Sequence, residues 1–199
     1  MLNKDMFFIK DCSYHIYNRS NEIVFHNREN YLFFLRKIRE HILPCCDILA
    51  YCLMPNHFHL IVTVKAEGAA FIDNIRLEEM QVLSRGIGTI LSSYTQALNK
   101  QQGRRGSLFA HKTKAKILND SKDNYALNCF MYIHQNPILA KLVDKMEEWE
   151  FSSFPDYIGN RKGTLVNKQL GLDIFQIDKS QLYELTYLLL KDKYDEDFI

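Results

Sequence analysis

Cys46–Leu53 (CDILAYCL) and His57–Val64 (HFHLIVTV) are two short apolar runs separated only by Met54-Pro55-Asn56. Runs of this length bounded by a Pro-Asn turn signal predict two antiparallel strands joined as a hairpin. The second run begins with His57-Phe58-His59. On a strand, residues two apart share a face, so both imidazoles would point one way and Phe58 the other, into the core.

Outward from this hairpin the pattern alternates. Tyr14–Ser20 (YHIYNRS) is aromatic-rich and alternating, which predicts a strand. Asn30–Ile42 places Tyr31, Phe34, Leu35, Ile38 and Ile42 at helical spacing, with Pro44 beyond its end. After a loop or insertion over Lys65–Arg76, Leu77–Lys100 reads as a long helix weakened early by Gly86 and Gly88. Gln101–Gly106 is a polar turn, and Phe109–Leu118 alternates as a fourth strand. Ser121 or Asp123 could cap a further helix that Pro137 would stop near Asn136. Strand, helix, strand, strand, helix, strand is the split β-α-β order, an α+β sheet of four antiparallel strands with two helices on one face. Tyr132 sits on the helix that follows. An irregular segment begins at Phe151–Gly159, and Ser180–Lys191 predicts a last helix. This divides the chain into 1–145, a catalytic unit, and 146–199, an extension packed on or beside it.

The chain of 199 residues is 47% hydrophobic and 25% charged, with a net charge of +1, so bulk charge does not point to nucleic acid. Its distribution is more informative. Arg85 to Lys116 holds no Asp or Glu but carries Arg85, Lys100, Arg104, Arg105, Lys112, Lys114 and Lys116, whereas acids prevail after Asp144. That is a basic face in mid-chain. Five cysteines without a C-x-x-C pair exclude a disulfide framework or zinc ribbon. With no secretory signal pattern and no bilayer-length apolar stretch, a cytoplasmic protein that does not enter membranes is expected.

Two imidazoles at i and i+2 can hold one divalent ion and leave coordination positions open, although the same spacing also suits two solvent-facing histidines. Tyr132 and Asn136, at i and i+4, share a helical face. If that face meets the histidines, Asn136 offers an oxygen as a third ligand and the Tyr132 hydroxyl reaches a bound phosphate; otherwise Tyr132 is a core aromatic. Tyrosine has a reference pKa near 10 and needs a cation beside its target to act as a nucleophile. A covalent phosphotyrosine conserves the cleaved bond for later rejoining.

Ala50–Val62 (AYCLMPNHFHLIV), Gly106–Lys116 (GSLFAHKTKAK), Tyr132–Val143 (YIHQNPILAKLV) and Trp149–Tyr157 (WEFSSFPDY) occur in this order. Together they resemble the REP-associated tyrosine transposases, single-tyrosine members of the His-hydrophobe-His endonuclease superfamily that includes the IS200-like transposases. The resemblance runs from about Tyr14 to Gly159. It implies a ferredoxin-like core, one Mg2+ or Mn2+ on His57 and His59, and attack by Tyr132 to give a 5′-phosphotyrosine and a free 3′-OH. In related insertion-sequence transposases the third ligand is a Gln four residues after the tyrosine. Here that position is Asn136, with Gln135 beside it as the other choice.

The resemblance also implies a single-stranded DNA partner folded into a hairpin. Arg19, Arg104, Arg105, Lys112, Lys114 and Lys116 are the candidate phosphate contacts, and Phe109 or Tyr17 candidate platforms for unpaired bases, unless, as is commoner for such rings, they pack in the core. Monomer and homodimer are both compatible with these features. A DNA-binding protein of the same fold without turnover is the alternative function. A histidine phosphoesterase is disfavoured, because the strand continues from His59 as Leu60-Ile61-Val62 with no third histidine.

Overall fold

The computed structural model describes residues 7–72, 80–109, 112–118 and 125–191. Four strands, β1 (Ser13–Arg19), β2 (Cys46–Met54), β3 (His57–Val64) and β4 (Lys114–Ile117), form one sheet in the order β2-β3-β1-β4. Every neighbouring pair is antiparallel. With α1 (Arg28–His41) between β1 and β2 and α3 (Val82–Gln102) between β3 and β4, this is the expected ferredoxin-like α+β core.

Pleating sends alternate side chains of each strand to opposite faces, and the two faces have different fates. Ile16, Phe58 and Leu60 face α1 and α3, where they meet Phe34, Ile38, Ile42, Ile87 and Ile90. α1 starts at Asn27, whose side chain accepts the Asn30 N–H, and buries Tyr31, Phe34 and Ile38 at helical spacing. α3 buries Leu83, Ile87, Ile90, Tyr94 and Leu98 along one stripe and ends on Gly103, which adopts the left-handed conformation (φ 62°). Phe109 follows the core alternative and not the base-platform one, packing against Phe58 and Tyr94.

The opposite face carries His15, Tyr17, Arg19, His57 and His59, because Tyr17 pairs with His59 and Arg19 with His57 across the β1–β3 ladder. It is covered by α4 (Tyr125–Leu139), which packs against β2. The expected stop at Pro137 does not occur. α4 runs to Leu139, because a proline so near the C-terminus removes only one N–H from the ladder. The helix closes with a Schellman pair, Leu142 N–H to Pro137 O (2.9 Å) and Lys141 N–H to Ile138 O (2.8 Å), with Lys141 at φ 55°. The proposed caps Ser121 and Asp123 lie outside the described residues.

Other boundaries shift for identifiable reasons. β4 spans four residues where Phe109–Leu118 was expected, because Leu108 and Phe109 turn into the core. α3 begins at Val82, not Leu77; residues 77–79 lie outside the described set. Gln81 just before it is held extended, its side chain accepting the Phe8 N–H (2.6 Å) and donating to Phe8 O and Ala69 O. The loop after β3 contains one turn of helix, α2 (Ala66–Ala69).

The segment from residue 146 onward fastens to the β2 edge. Leu53 N–H donates to Phe151 O (2.9 Å), Ser153 N–H to Tyr51 O (2.9 Å) and Asn167 N–H to Ile48 O (2.8 Å). β2 has a register irregularity at Leu49, whose carbonyl accepts the buried Tyr157 hydroxyl (2.6 Å). Tyr157 lies on the short helix α5 (Phe154–Tyr157). It is followed by α6 (Lys168–Phe175), which the sequence pattern did not predict, and α7 (Leu182–Lys191). Arg161 locks the segment, donating to both carboxylate oxygens of the buried Asp156, to the Tyr51 hydroxyl and to two backbone carbonyls.

Candidate active site

His57 opens β3 directly after the Met-Pro-Asn turn, and Asn56 has a specific part in its placement. His57 Nδ1 lies 2.7 Å from Asn56 Oδ1, an atom that can only accept, so Nδ1 is the donor in that bond and Nε2 is turned to the site. His59, two residues on, is buried (7% exposed), and its ring meets that of His57 edge-on with centroids 5.0 Å apart. Its Nδ1 lies 2.8 Å from Nε2 of His15, a residue the motif reading did not select. His59 Nε2 is buried and has no hydrogen-bond partner among the described residues.

α4 delivers the other half of the site. Tyr132 stands edge-on to His59, ring centroids 5.9 Å apart, in the same chain. Asn136 lies one turn further. Its Nδ2 donates to Tyr132 O (2.9 Å), and its amide also hydrogen-bonds the His57 ring and the Tyr132 side chain. Gln135, the other candidate third ligand, is turned away. It is fully buried, and its Nε2 donates to Thr186 O of α7 (2.8 Å). Successive helical residues point about 100° apart, so only one of the two can face β3.

Burial sets the protonation states. Desolvation, reinforced by the Arg19 charge, holds His57 down to about 4, against a smaller upward pull from the Asn136 hydrogen bond. His59 is held well below the usual imidazole range, first by burial and then by repulsion from His15, His57 and Arg19. Both rings are therefore neutral at pH 7, the form that binds a metal ion. Burial raises the Tyr132 hydroxyl above 10, while Asn136 and Arg19 pull it back down.

The atoms left over fit a divalent cation. Two neutral imidazoles, one with an orphaned buried nitrogen, stand beside an amide. Among the described residues, no three His, Cys, Asp or Glu side chains are grouped to hold a metal, so any such site would consist of two imidazoles, an amide and open positions.

The candidate phosphate contacts divide by position. Arg19 is exposed and directly opposite His57. Lys114 and Lys116 are exposed on the same sheet face, Lys114 over the half-buried Tyr17 ring (5.8 Å) and Lys116 over the Tyr125 ring of α4 (3.8 Å). Arg105 and Lys112 are exposed. Arg104 differs, forming a bidentate pair with Glu22 at 2.9 and 2.7 Å.

No family model matches the chain. A curated protein of Haemophilus influenzae named "Putative REP-associated tyrosine transposase" is 23% identical over 108 residues, 54% of this chain. The match spans 58% of that protein's length. The structure of a REP-associated tyrosine transposase bound to a REP hairpin superposes with a TM-score of 0.55 at 17% identity, covering 80% of this chain and 86% of the other. Both sequence and fold are thus similar to those of REP-associated tyrosine transposases. Among the described residues, no helix is long and apolar enough to cross a membrane.

Proposed function

We propose that this chain, a relative of the REP-associated tyrosine transposases in sequence and fold, cuts and rejoins single-stranded DNA beside hairpins. Tyr132 is the nucleophile, and one Mg2+ or Mn2+ is held by His57, His59 and Asn136. The observation that carries this reading is the convergence of α4 and β3: Tyr132 and Asn136 meet both histidines on the sheet face opposite α1 and α3.

The bound cation would act as a Lewis acid on the scissile phosphate. The protein's own groups do the rest. Arg19, opposite His57 at the rim, binds a non-bridging phosphate oxygen. Asn136 orients the Tyr132 hydroxyl. The Tyr132 Oη–P bond forms as the P–O3′ bond breaks; the phenolic proton leaves and the departing 3′ oxygen gains one. Because phosphotyrosine keeps the phosphodiester energy, attack by a 3′-OH reverses the step and rejoins the strand. Lys114, Lys116, Lys112 and Arg105 track the DNA backbone toward the site.

The test is incubation of a labelled hairpin carrying single-stranded flanks with Mn2+, followed by a denaturing gel. Wild type should give protein joined to the 5′ phosphate of the downstream fragment and release the upstream fragment with a free 3′-OH, and Tyr132→Phe should bind the hairpin equally but give no adduct. An adduct with Tyr132→Phe would remove Tyr132 as nucleophile. Binding without any wild-type adduct would leave a hairpin-binding protein without turnover.

A further inference from the structure

We propose that His15 is a positioning residue that accepts the Nδ1 proton of His59 and thereby keeps His59 Nε2 free for the divalent cation. This rests on the metal site proposed above. His15 and His59 are both buried (6% and 7% exposed), and His15 Nε2 lies 2.8 Å from His59 Nδ1. Two neutral imidazoles at that distance share one proton, so the bond has two possible directions. If His15 donated, the proton of His59 would sit on Nε2, a buried donor with no acceptor among the described residues and no lone pair for a cation. If His59 donates, Nε2 is a bare lone pair that a cation satisfies. Only the second arrangement lets the orphaned atom be paired.

His57 supports the same direction. Its Nδ1 proton goes to Asn56 Oδ1, leaving Nε2 as the nitrogen that faces the Asn136 amide. Each ring of the pair would then have its own acceptor on Nδ1, an amide for His57 and an imidazole for His59. A ligating histidine generally has its second nitrogen fixed by such a partner. His15 faces Nδ1 of His59 and not the Nε2 left for the cation, which makes it a partner of the ring and not a ligand. The His15 ring is held in place by stacking on Tyr17, centroids 4.7 Å apart and planes 22° from parallel.

The experiment uses the full chain, 15N-labelled and free of DNA, and two variants. His15→Phe keeps a ring against Tyr17 but has no acceptor; His15→Gln keeps an acceptor oxygen at similar reach. Thermal unfolding identifies which variants fold. Long-range 1H–15N spectra without metal should place the His59 proton on Nδ1 in wild type and His15→Gln, and shift it toward Nε2 in His15→Phe. Mn2+ affinity should fall about 10- to 100-fold in His15→Phe and recover to within a few-fold of wild type in His15→Gln. A folded His15→Phe with the wild-type His59 spectrum and Mn2+ affinity would overturn the assignment. Equal losses in both variants would do so too, because packing would then explain them. If wild type binds no Mn2+, the metal site itself fails, while the spectra still decide whether His15 sets the His59 tautomer.

Discussion

Arg104, Lys114 and Lys116 bring the same formal charge into different surroundings. Arg104 is neutralised by the Glu22 carboxylate, whereas both lysines lie on the face that carries the histidines. Each phosphate contact releases counterions and adds about 0.9 to the slope of log affinity against log salt on duplex DNA. The charge-neutral double variant Glu22→Gln/Arg104→Gln should therefore leave the slope of hairpin binding unchanged, and Lys114→Gln/Lys116→Gln should flatten it by up to about 2. An unaltered slope in the lysine pair would take β4 off the phosphate track. At this scale, local spacing was legible in the sequence. His57 with His59 and Tyr132 with Asn136 are fixed by strand and helix periods that need no tertiary knowledge. His15 and the Glu22–Arg104 pair were not, because each depends on residues more than forty positions apart in the chain meeting across the fold. Asn56 lay in plain view, but its task depends on a rotamer that spacing cannot supply.

Two glycines of α3, equally weakening on paper, have opposite roles within the element. A Cβ at Gly86 would sit 2.6 Å from the His41 carbonyl at the end of α1, so the close approach of the two helices requires the missing side chain. Gly88, one position past the next residue, has open space around it. Gly88→Ala should raise stability by about 0.5–1 kcal/mol through helix propensity alone, measured by urea unfolding. Gly86→Ala should lower it despite the same intrinsic gain. Equal signs would show that the α1–α3 contact does not set the sign. Hydrophobic period predicted β2, β3, α1 and the body of α3 closely. It failed where capping or side-chain mimicry decides an end, as at Gln81 and at Pro137. It missed α6, whose apolar residues serve an edge supplied by a distant strand.

For the molecule as a whole, strand order follows from the β-α-β-β-α-β succession. The placement of α4 on the face opposite α1 and α3 does not, since a helix added after the six core elements can pack on either side. That choice brings Tyr132 and Asn136 beside the histidines, and α7 holds α4 there through the bond from Gln135 to Thr186. The order β2-β3-β1-β4 also leaves two outer strands. One, β2, is closed off by backbone bonds from the C-terminal segment. The other, β4, pairs with β1 on one side, and no strand lies along its outer side among the described residues. An unpaired strand border is a template for self-association, and short length and lysines are the usual deterrents. β4 has both, four residues with Lys114 and Lys116 exposed. The lysines assigned to DNA would thus double as wardens against filament growth. Lys114→Val/Lys116→Val should drive concentration-dependent oligomers in light scattering, while Lys114→Glu/Lys116→Glu stays monodisperse yet repels the hairpin. If the proposed DNA binding holds, bound nucleic acid would neutralise the very charges that keep molecules apart, and crowding of copies on one strand would be a property of the complex and not of the free protein.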